Sequence, residues 1–159
     1  MAAPGSIFIS YRHDAPWTGL ATRLDLKLRA SAGPQTEVFF DARIPPGANW
    51  KQKVDEALER CTHFVALICD EYWVLSTECR RELERAVQRR QAGGVPHLLF
   101  VKAAEIRPEL MRLEDGLEHL GQINFLGPFD AHAKLVTLAR GGAKLDAQLG
   151  QLRDRLLSA

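Results

Sequence analysis

His63-Phe64-Val65-Ala66-Leu67-Ile68-Cys69 (HFVALIC) is the stretch that decides the fold. Seven residues with almost no polar interruption suit a strand whose two faces are both covered, so this segment reads as a strand in the middle of a parallel sheet. Toward the N-terminus, Trp50, Val54, Ala57, Leu58 and Cys61 recur at helical spacing. Asn49 stands where it can cap that helix, with Gln52 at the reciprocal position of a loose capping box. Thr36 to Phe40 (TEVFF) reads as a strand, followed by a loop from Asp41 to Asn49 that holds two prolines and a glycine. Trp17, Leu20, Ala21, Leu24 and Leu28 form the stripe of an amphipathic helix that Ser31, Gly33 and Pro34 break, and Ser6 to Ser10 (SIFIS) is the first strand.

Toward the C-terminus, Ser76 or Thr77 caps a third helix with inward positions Cys79, Leu83, Ala86 and Val87, ending at Gly93 and Gly94. His97 to Val101 (HLLFV) is a fourth strand and Gln122 to Leu126 (QINFL) a fifth. Lys102 to Leu120 lacks clean periodicity and reads as loop with one short helix; Asp130 to Ala139 is a closing helix. Beyond Gly141 and Gly142, Leu145, Leu149, Leu152 and Leu156 repeat in steps of four and three. The expected organisation is one domain over residues 1–140, with 141–159 a C-terminal helix or a linker to a partner domain. Strand and helix in alternation imply right-handed crossovers, hence a doubly wound α/β fold: a five-stranded parallel sheet with helices on both faces. Ligands in such sheets bind beyond the carboxyl ends of the strands, which directs attention to the loops after Ser10, Phe40 and Cys69.

Composition narrows the function classes. An apolar fraction of 46% and a charged fraction of 26% are those of an ordinary folded domain, which excludes disordered and disulfide-scaffold classes. A formal net charge of +1 supplies no global field for nucleic acid or anionic lipid, so neither is an expected partner. Cys61, Cys69 and Cys79 are odd in number and sit in apolar contexts, as reduced thiols of a cytoplasmic protein would. Neither a signal peptide nor a membrane-length apolar run is legible, so export and anchoring are not expected. The five histidines are dispersed without zinc-site spacing, and no metal is expected. A dinucleotide fingerprint and a phosphate loop are both missing after the first strand, which argues against a Rossmann dehydrogenase.

Three segments in order, FISYRHD (Phe8 to Asp14), FFDARIPPGANW (Phe39 to Trp50) and YWVLSTECRREL (Tyr72 to Leu83), together resemble the Toll/interleukin-1 receptor (TIR) domain family in its bacterial NAD-cleaving form. The chain departs from the family pattern in having Glu78 where a tryptophan is frequent and Cys69 where serine is common. The resemblance implies a flavodoxin-like fold and hydrolysis or cyclisation of NAD+, with NAD+ as substrate and no cofactor. It further implies self-assembly as a homo-oligomer or open-ended array, a fused or associated sensor domain, and a role in antiphage immunity. Glu82 matches the glutamate of the family's Cys-x-x-Glu pattern and is the expected catalytic residue. Phe8, Ser10, Tyr11, Arg12, Arg43, Trp50, Ser76 and Cys79 are the expected substrate-binding set. Ile44, Pro45, Pro46 and Gly47 fall in the segment resembling the family's BB loop and are the expected assembly surface.

The chemistry can also be read from the residue itself. Nicotinamide leaves NAD+ as a neutral molecule, so one carboxylate suffices where ordinary glycoside cleavage uses two. That carboxylate can bind the ribose hydroxyls and stabilise an oxocarbenium-like charge. At roughly 100° per residue, Glu82 falls on the border of its helix's buried face, while Glu78 and Glu84 point further toward solvent. A solvated helical carboxylate is the alternative reading of Glu82. At the level of the chain, the alternatives are a TIR module that acts only by association, and a nucleoside deoxyribosyltransferase, which explains the glutamate but not the loop segment.

Overall fold

The computed structural model describes residues 5–40, 49–70, 72, 76–104 and 138–158. Strands β1 (Ser6–Ser10), β2 (Glu37–Phe39), β3 (His63–Ile68) and β4 (His97–Lys102) alternate with helices α1 (Trp17–Ser31), α2 (Trp50–Arg60) and α3 (Thr77–Gly93), and α4 (Gly142–Ser158) follows. All strand pairs are parallel, in the order β2-β1-β3-β4. The chain therefore starts in the interior of the sheet, builds outward to β2, then crosses back to add β3 on the other side of β1. That reversal is the topological switch point. Among the described residues the sheet has four strands, not the five expected; the expected fifth, Gln122 to Leu126, and most of the expected closing helix lie outside them.

The apolar run from His63 to Ile68 is β3, buried at all six positions between β1 and β4. Its side chains alternate. Phe64, Ala66 and Ile68 join Phe8, Leu58, Leu83 and Phe100 on the face covered by α2 and α3. Val65 and Leu67 join Ile7, Leu24, Leu99 and Leu149 on the face covered by α1 and α4. A strand that must be apolar on both sides cannot alternate with polar residues, which is why HFVALIC shows no period of two. β2 is shorter than expected because only Glu37, Val38 and Phe39 find ladder partners in β1.

Helix boundaries follow side-chain caps. The Asn49 side chain accepts from the Gln52 backbone N–H at 3.2 Å, and Ser76 does the same for Cys79, also at 3.2 Å. Gly94 ends α3 in the left-handed region at φ 77, where a side chain would be strained. Between α2 and α3, Arg89 donates to the carbonyls of Leu58 (2.6 Å) and Cys61 (3.1 Å), satisfying acceptors that the end of α2 leaves open. Leu145, Leu149, Leu152 and Leu156 of α4 are buried in the same half of the core as α1, and Lys27 pairs with Asp146 at 2.9 Å across the two helices.

Candidate active site

The switch point puts the end of β1 beside the start of α3. Ser10 closes β1, and Glu82 lies in the second turn of α3. The Ser76 cap fixes where that helix begins, and the Cys79 thiol donates to the Tyr11 carbonyl at 3.2 Å, tying the first turn of α3 to the residue after β1. With the helix held there, the Ser10 hydroxyl donates to Glu82 Oε1 at 3.1 Å. The same Ser10 oxygen lies 2.7 Å from the Tyr72 hydroxyl. A serine has one proton, and Glu82 receives it, so Tyr72 must be the donor to Ser10. The result is a directed chain, Tyr72 O–H to Ser10 O–H to Glu82 carboxylate, with exposures of 0%, 1% and 5% along it.

Burial acts on the neighbours. The Tyr72 phenol is held protonated, well above its ordinary range, first by loss of solvent and then by nearby Cys79 and Glu82. Burial likewise pushes the Cys79 thiol up to about 12, the Ser76 hydrogen bond opposing and Glu82 adding to the rise. Cys79 is thus a thiol at neutral pH, suited to holding α3 in place and not to nucleophilic attack. Cys61 and Cys69 are also buried and in no disulfide, and burial raises Cys61 to about 11.

The structure brings Ser10, Ser76, Cys79 and Glu82 together and sends others elsewhere. Phe8 is a core residue, stacked between Phe39 and Phe64 with ring centroids 4.9 and 5.4 Å away. Tyr11 gives its carbonyl to Cys79 but turns its ring to the α1 face, near Phe40 and His13. Arg12 is a quarter exposed, with Nε and one terminal nitrogen each 2.9 Å from a single Asp14 oxygen. Trp50 begins α2, with its ring edge-on to His13 at 6.5 Å. Arg43, Ile44, Pro45, Pro46 and Gly47 lie outside the described residues. Glu82 itself is buried, not on the border of its face as the helical wheel put it, because β1 ends within its reach.

Tyr72 is the site residue that the sequence did not single out, although a tyrosine in a buried setting needs a partner for its hydroxyl. Nor did the sequence reveal a cavity of about 900 Å³, to whose lining Pro16, Trp17, Leu20, Asp70, Ala103 and Leu145 contribute. It opens on the α1 side of the sheet, whereas Glu82 lies on the α3 side.

A parallel α/β domain with a serine-held carboxylate at its switch point is the class these observations define. The family model for the TIR domain matches residues 7–137, and the chain belongs to that family. No curated protein matches the chain.

Proposed function

We propose that this TIR domain cleaves the N-glycosidic bond of NAD+, releasing nicotinamide, with Glu82 as its catalytic carboxylate. The buried hydrogen bond from Ser10 to Glu82 carries this reading. It fixes one carboxylate oxygen at the edge of the sheet where ligands of doubly wound folds bind. A carboxylate held in that way needs little reorganisation when positive charge develops on the ribose. Its role is to bind ribose hydroxyls and stabilise that charge, since the departing nicotinamide is neutral and asks for no proton. Water then yields ADP-ribose, or an internal nucleophile of the ADP-ribosyl group yields a cyclic product.

The wider reading is a bacterial antiphage effector of the cytoplasm that destroys or converts NAD+ once a fused or associated sensor triggers assembly. TIR domains commonly self-associate, and among the described residues no helix is long and apolar enough to cross a membrane. Neither nucleic acid nor membrane is a partner in this reading, and no cofactor is needed.

Glu82→Gln tests it. The amide keeps an oxygen to accept from Ser10, so the melting temperature should move little while nicotinamide release falls by at least about a hundredfold. Near wild-type turnover would remove Glu82 from the chemistry. One observation favours a second reading, a TIR module that works by association alone: Glu82 is only 5% exposed, as an internal fastening between α3 and β1 would be. Self-association without nicotinamide release, at low and high protein concentration alike, is the outcome that selects it.

A further inference from the structure

At the opposite edge of the sheet, β3 and β4 both begin with histidine. The parallel register pairs His63 with His97, and their ring centroids are 5.0 Å apart. Alternation along the strands sets both on the face of Val65, Leu67, Leu99 and Val101, beneath α1 and α4. His97 is exposed and His63 is 3% exposed.

The tautomer of His63 follows from the hydroxyl beside it. Thr62 Oγ1 lies 3.1 Å from His63 Nδ1, accepts from the Ser6 N–H at 3.0 Å, and donates to the Ser6 carbonyl at 3.0 Å. Its single proton goes to Ser6, so it can only accept from His63, and Nδ1 carries the hydrogen. The other tautomer would leave a buried N–H with no acceptor, the rarer and costlier defect. Nε2 is therefore a bare lone pair, buried and without a hydrogen-bond partner. An imidazole whose N–H is anchored by an outer partner while its second nitrogen stays unprotonated is the state in which histidine ligates metals.

We propose that His63 Nε2 and a ring nitrogen of His97 bind a divalent transition-metal ion of the zinc, nickel or copper type, with water completing the shell. Imidazole selects such ions over magnesium or calcium. Two nitrogens roughly 3.3 Å apart span one tetrahedral ion at about 2.0–2.1 Å from each. With the ring centroids 5.0 Å apart, the exposed His97 side chain would have to turn to reach that separation. Among the described residues no group of three or more histidine, cysteine or acidic residues forms a metal cluster, so the described residues supply two ligands to this ion. The ion would clamp β3 to β4 far from Glu82, and its effect should appear in stability. Sequence spacing could not reveal it, because the two positions meet only through strand register.

The test is zinc chloride titrated into the whole purified chain, followed through the ring nitrogens and protons of histidine by NMR and through the melting temperature. The ring signals of His63 and His97 should shift together, saturating at one ion per chain, and the melting temperature should rise. His97→Ala, an exposed change that leaves the core untouched, should weaken binding by about tenfold or more and abolish the thermal shift. Shifts confined to other histidines, a His63 ring that does not respond at millimolar zinc, or equal affinity in His97→Ala would each overturn the site.

Discussion

The single proton of Ser10 makes Tyr72 an upstream donor whose hydrogen bond is relayed to Glu82 by the serine. Hydrogen bonds in series polarise one another, and in a buried setting each link matters more than it would in water. Tyr72→Phe removes one oxygen and keeps the ring. The Ser10 oxygen then loses its donor, and the cost to stability should be about 1–2 kcal/mol by urea unfolding. The same change weakens the grip on the carboxylate, so kcat for nicotinamide release should fall about tenfold while KM stays within twofold, because Tyr72 is fully buried and does not face the solvent side of the site. An unchanged kcat with the expected stability loss would mean that the chain serves packing only. None of this was legible in sequence. Glu82 could be placed on α3 by counting roughly 100° per residue, but counting along one helix says nothing about what stands opposite. Ser10 and Glu82 are separated by 72 positions and Ser10 and Tyr72 by 62, and only the fold makes them neighbours.

Elements were readable where one periodic pattern ran between clear stops. β1, α1 and α2 begin where the sequence placed them, since SIFIS follows a proline and a glycine, and Asn49 caps α2. β3 was readable for the opposite reason, its lack of period, which only a doubly covered strand requires. The buried start of β3 makes the sheet edge pH-sensitive. His63 is lowered from 6.5 to about 4, chiefly by burial and then by His97. The folded state therefore binds its proton less readily than the unfolded chain. Stability from this residue is fully present above the unfolded pKa near 6.5 and is lost progressively as pH falls toward about 4, after which it stays flat. The loss should reach at most about 3.5 kcal/mol, because the two values lie about 2.5 pH units apart and each unit is worth about 1.4 kcal/mol. His63→Asn keeps a donor for Thr62 but cannot titrate. Urea unfolding between pH 7 and 4 should show a flatter profile in that variant than in the wild type; parallel profiles would assign the acid sensitivity to other groups.

For the whole molecule, helices cover both faces of the sheet, and among the described residues the large apolar side chains left exposed are Leu26 on α1 and Val95 before β4. Two such residues on different segments are ordinary for a monomer surface. If this domain assembles as TIR domains commonly do, the apolar contact has to come from elsewhere. The apolar run Ile44-Pro45-Pro46-Gly47, which follows β2 in the sequence and lies outside the described residues, is the expected source. A loop docking on a different face of the next copy makes a contact that need not close, and so builds open arrays. Turnover per subunit should then rise with protein concentration, since only assembled subunits are competent. Ile44→Asp should lower assembly, measured by light scattering, and nicotinamide release together, while the circular dichroism and melting curve of the monomer stay as in the wild type. An aspartate in water costs little, but buried at an interface without a partner it costs several kcal/mol, of the order that separates assembled from free subunits. Specific activity that stays flat over a hundredfold dilution, with Ile44→Asp as active as wild type, would show that one subunit carries the whole reaction.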